Sequence, residues 1–142
     1  MIEWTILGEN LLKLAIALVL ALPIAWNRER STHIMGLRTY PLVAIGCCGY
    51  VLVASSFLSE SSTDAQARIL QGLISGIGFV GGGAILKNDN HVQGTATASS
   101  IWATGAVGAA VAHSSYEVAI VIAIVIFLLL QWLTPIKEKI DE

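Results

Sequence analysis

Charge is scarce in this sequence. Only 13% of its residues are Asp, Glu, Lys or Arg, about half the share of a soluble domain. A chain so poor in charge is not built to meet water on every side. The net charge is −2, so no global field gathers nucleic acid, and no nucleic-acid partner is expected. Cysteine is limited to the adjacent Cys47 and Cys48. Neighbouring cysteines rarely bridge each other, and this pair lacks metal-ligand spacing; buried apolar packing is the better reading. His33, His91 and His113 scatter over loops on both sides. No Ser-His-Asp set, ligand cluster or catalytic carboxylate pair can be assembled on one side, so neither an enzyme nor a metal or other cofactor is expected.

What the chain has instead is apolar length. Of its 142 residues, 55% are hydrophobic, and they run between charge clusters near residues 3–13, 28–38, 60–68, 87–91, 117 and the C-terminus. The runs predict spans from Leu11 to Trp26, Pro41 to Leu58, Ile69 to Leu86, Thr95 to Ala112 and Tyr116 to Leu133. Eighteen helical residues reach ~27 Å, enough for a thin hydrocarbon core. The expected fold is all-α: a polytopic membrane helical bundle of about five transmembrane helices, one domain over residues 1–142, with the lipid bilayer as its first partner. The acidic start, Met1-Ile2-Glu3-Trp4, and the lack of a small-residue cleavage site argue against a cleaved signal peptide.

Charge also orients the spans. Arg28, Arg30, Arg38, Lys87, Lys137 and Lys139 fall on one side of five alternating passes, and only Lys13 and Arg68 toward the other. The positive-inside rule then places the N-terminus outside and the C-terminus in the cytoplasm. Span five is bulky and apolar all round and is expected to face lipid. Spans three and four are rich in small residues, which let membrane helices approach closely, so these two are expected to form the core.

Span three contains Ser75-Gly76-Ile77-Gly78-Phe79-Val80-Gly81-Gly82-Gly83. It spells G-x-G-x-x-G, but a dinucleotide loop needs a preceding strand and an acidic residue about twenty positions on, and neither is here. Two readings stay open. Gly72 with Gly76, and Gly78 with Gly82, are spaced to pack helices. Alternatively Gly81, Gly82 and Gly83 break the helix and expose carbonyls to a cavity.

Three stretches resemble the MgtC/SapB family of bacterial membrane proteins. They are Arg28-Glu29 with Gly36-Leu37-Arg38-Thr39, the glycine run from Ser75 to Gly83, and Gly94, Thr97, Ala98 and Trp102. The likeness covers about residues 10 to 134. Asn27 stands where the family usually has Glu, Gln93 where it has Arg, and Ala96 where it has Thr. Many members carry a soluble C-terminal domain, which is expected to be absent here. The resemblance implies an inner-membrane protein linked to magnesium limitation, acid stress and virulence, acting on other membrane proteins such as the F-type ATP synthase.

The candidate sites follow. Asn27, Arg28, Glu29, Arg38, Thr39 and Asp89 form a polar cytoplasmic group, either fixing topology or lining a cavity mouth. Gly72, Gly76, Gly78, Gly81, Gly82, Gly83, Thr97, Ser100, Trp102 and Thr104 are packing or cavity residues. Asp64 and Arg68 lie one turn apart before span three. The function expected is a regulatory membrane protein, homo-oligomeric with a dimer favoured, that contacts other membrane proteins. The alternative is a small oligomeric ion or solute channel with a glycine-broken third helix.

Overall fold

Each apolar run becomes a helix, and polar or glycine-rich breaks end it. The computed structural model describes residues 3–32, 35–58, 63–88 and 91–140. Its helices are α1 (Trp4–Thr32), α2 (Thr39–Phe57), α3 (Thr63–Gly82), α4 (Thr95–Ala112) and α5 (Tyr116–Ile140). Between α3 and α4, strands β1 (Leu86–Asn88) and β2 (His91–Gln93) pair antiparallel, Leu86 opposite Gln93 and Lys87 opposite Val92. Three segments are long and apolar enough to cross a membrane: Trp4–Ser31, Thr39–Phe57 and Tyr116–Leu133. The chain is therefore an all-α bundle of membrane character.

The third helix departs from expectation. It ends at Gly82, short of Leu86, and it is unbroken from Thr63 onward. The glycine triplet is a helix end, not a break inside a span. Its last turn tightens as the Ala84 and Ile85 amides donate to the Gly81 and Gly82 carbonyls at 2.9 and 3.1 Å. Successive glycines carry the poorest helix propensity short of proline, ~1 kcal/mol each relative to alanine, which explains why the helix stops there. At the start of α4, Gly94 has φ +86°, and a Cβ there would collide with the Ala84 carbonyl. Only glycine takes that backbone shape in that space.

Side-chain contacts fix the helix directions. Lys13 near the start of α1 donates to the Ala112 carbonyl at the end of α4, 3.0 Å away. Arg28 near the end of α1 reaches Thr97 in the first turn of α4. The two helices are thus antiparallel. Asn27 Nδ2 donates to Gln131 Oε1 at 2.7 Å, so α1 and α5 run parallel. This is the pattern that alternating passes produce.

The bundle is small inside and large outside. Ala17, Ala21 and Ala25 line the inner stripe of α1, and Ala119 and Ala123 that of α5. Leu22, Val121, Ile124, Val125 and Leu129 point outward and are exposed. That inversion suits a hydrocarbon surround, where helices gain from close backbone approach. The centre is α4, which packs on all four other helices. The expected partnership of α3 and α4 as the core holds only for α4. In α3 only Ile77 and Gly81 are buried, and the helix lies at the edge against α4 and α2. The reason is geometric: Gly72, Gly76, Gly78 and Gly82 turn outward, and a Cβ at any of them would meet nothing within 4 Å.

Candidate functional site

The most polar part of the interior lies where the end of α1 meets the starts of α2 and α4. Arg28 is 3% exposed, on the inner stripe that also carries Ala21 and Ala25. Its Nη2 donates to Thr97 Oγ1 at 2.6 Å. Tyr40, fully buried in the first turn of α2, shares a 2.6 Å hydrogen bond with Ser100 Oγ. The Ser100 hydroxyl is also placed to donate to the Thr97 carbonyl at 2.9 Å, and Thr104 Oγ1 donates to the Ser100 carbonyl at 2.7 Å. Arg28 also interacts with the Tyr40 side chain. One cation and four hydroxyls therefore tie three helices together. A charge is buried here because hydrogen bonds offset part of the large cost of removing it from water.

The neighbouring residues are wetter. Asn27 is half-buried and bonded to Gln131. Glu29 accepts from the Leu37 amide at 3.0 Å and so closes the turn into α2. A Cβ on Gly36 would strike the Glu29 backbone and side chain, which explains a glycine there. Arg30 stacks over Trp26, 5.6 Å from the ring centre. Arg38 precedes α2 and is exposed, with no side-chain cap bond, and Thr39 follows half-buried. Asp89 lies outside the described residues, as do His33 and Glu60.

The structure divides the other sequence-derived candidates. Thr97, Ser100 and Thr104 are buried together, whereas Trp102 is half exposed on the other side of α4. Gly81 packs on the Ala98 backbone, and Gly83 sits against the Val80 carbonyl of its own turn. Gly72 and Gly76 line an open groove between α2 and α3. Gly78 and Gly82 face outward, and Asp64 and Arg68 lie exposed at the start of α3.

Three contributors escaped the sequence reading. Tyr40 sits directly after the Arg38-Thr39 pair, and a tyrosine in the first turn of an apolar helix is the available signal. Gly105 and Gly108 make the closest inter-helix packing. A Cβ on Gly108 would collide with the Ala44 carbonyl of α2, and one on Gly105 with the Ile77 side chain of α3. Their i,i+3 spacing inside the small-residue run of α4 marks one face.

Comparison with known proteins agrees with this organisation. The MgtC family model matches residues 14–139. An uncharacterised protein of Synechocystis is 34% identical over 140 residues, covering 99% of this chain and 57% of the relative. The MgtC protein of Brucella abortus is 34% identical over 126 residues, covering 85% and 52%. The MgtC protein of Salmonella typhimurium is 28% identical over 140 residues, covering 99% and 59%. The chain thus spans between half and three-fifths of the length of these relatives. No solved structure matches. On the family match across nearly its whole length, this chain belongs to the MgtC family.

Proposed function

We propose that the chain is a regulatory protein of the bacterial inner membrane. It crosses the bilayer five times, with its N-terminus outside and its C-terminus in the cytoplasm. It acts through contacts with itself or with other membrane proteins during magnesium limitation, acid stress or virulence. It is not an enzyme and needs no cofactor. The family membership supports the setting. The positive ends support the orientation: Arg28, Arg30, Arg38 and Lys87 share the end of the bundle where α4 begins.

One observation carries the choice of contact over conduction. The polar groups at the centre are committed to one another, and the outer surface is apolar helix. Thr97, Ser100 and Thr104 hydrogen-bond within the clamp, and Gly105 and Gly108 are filled by neighbouring helices. Conduction is the weaker reading, because the glycine triplet closes α3 and opens no mid-span break. The test is growth of a deletion strain in limiting and in replete Mg²⁺. A defect confined to limiting Mg²⁺, restored by the wild-type copy and not by Gly108→Leu, is expected. Identical growth of deletion and parent at every Mg²⁺ level and at acid pH would contradict the proposal.

A further inference from the structure

A groove of about 860 Å³ runs between α2 and α3. Its floor and walls include Val43, Gly46, Cys47, Gly72, Gly76 and Ile77, and at one end stand Arg38 and Thr39. The glycines keep it open, since a Cβ at 46, 72 or 76 would meet nothing within 4 Å. We propose that this groove holds an acyl chain of an anionic phospholipid, with the phosphate seated against Arg38 and the Thr39 hydroxyl.

Two observations select this occupant. The first is charge. The groove is apolar except at the Arg38 end, where the guanidinium is exposed and makes no cap bond to its own helix. An apolar slot ending in one cation and one hydroxyl complements a lipid whose headgroup is an anion. The second is length. The lining runs from Thr39 to Ala54 on α2 and from Ile69 to Val80 on α3, or ~22 and ~17 Å at ~1.5 Å per residue. One leaflet is about half of a ~30 Å hydrocarbon core. The groove is therefore close to one leaflet deep, starting from Arg38, and is short for a helix that spans the membrane.

The inference rests on α2 and α3 lying together in the bilayer. If alkaline carbonate strips the protein from membranes, that reading fails, whatever the lipid preference. The lipid site itself is tested on delipidated protein in mild detergent, titrated with phosphatidylglycerol or phosphatidylcholine of identical acyl chains. Bound lipid is counted by native mass spectrometry. The expected preference for phosphatidylglycerol is about fivefold, the scale of one basic side chain at an anionic headgroup. Arg38→Gln should erase the preference and Arg38→Lys should keep most of it. Gly72→Leu should weaken both lipids, because leucine fills the groove without striking the protein. Inorganic phosphate alone should not compete. Equal binding of the two lipids, a preference that survives Arg38→Gln, or full affinity in Gly72→Leu would each overturn the proposal. So would a cross-linked dimer lost in Gly72→Leu with lipid affinity unmoved, which would give the groove to a second copy.

Discussion

Arg28 Nη2 lies 2.6 Å from Thr97 Oγ1, and this hydrogen bond joins the end of α1 to the first turn of α4. A buried bond to a charged group contributes on the order of 1.5–3 kcal/mol. Thr97→Val keeps the shape and removes the acceptor, leaving a guanidinium donor facing a methyl. It should destabilise the protein by about that amount, read as a lower unfolding midpoint in detergent. Thr97→Ser should retain most of the stability. Equal midpoints for Val and wild type would show that the bond does not hold the helices.

The glycines of α4 and α3 should respond in opposite ways. Gly108→Ala drives a Cβ into the Ala44 carbonyl, which is backbone and cannot move aside. A loss of ~1–3 kcal/mol is expected, as for other overpacked cores. Gly105→Ala meets the tip of Ile77, a flexible end, and should cost less. Gly72→Ala and Gly78→Ala meet open space and should be neutral, or stabilising by up to ~1 kcal/mol through helix propensity. Thermal unfolding of the four variants checks the order. A Gly72 variant as damaging as the Gly108 variant would contradict the placement of α3 at the edge.

The turn between α1 and α2 offers a third comparison. Glu29→Ala removes one acceptor from the Leu37 amide at a site open to water, worth about 0.5–1.5 kcal/mol. Gly36→Ala should cost more. Its Cβ meets the Glu29 Cα as well as the carboxylate, so Glu29→Ala should not rescue it. Additivity in the double variant, measured by chemical denaturation, is the expected result, and full rescue would contradict the geometry.

Topology reporters address the alternating passes. A cytoplasm-dependent reporter fused after Gln93 should be active, and one fused after Ser115 should be silent. Activity at both positions would mean that α4 does not cross the membrane.

The five helices were legible because apolar runs and charge clusters alternate so regularly. The end of α3 was not, because the glycine triplet fits a broken helix, a packed helix and a finished helix equally well. What decided it was the hairpin that follows, in which Lys87 pairs opposite Val92 across the sheet. Thr97, Ser100 and Thr104 share a helical face, so their common burial could be read from spacing. Their partner Tyr40 could not, because its contacts lie far away in sequence, 60 residues from Ser100. Gly72 and Gly76 show the limit of motif reading. Spacing gives a common face, but only the fold says whether another helix covers it.

The central claim is that this protein works by contact and conducts nothing. Its most direct test is flux of Mg²⁺, Na⁺, K⁺ and H⁺ in proteoliposomes holding the folded, oriented protein. The account predicts rates equal to those of empty vesicles for all four ions. Flux of any of them above that baseline, abolished by Gly82→Leu, would contradict it and make the end of α3 part of a pathway.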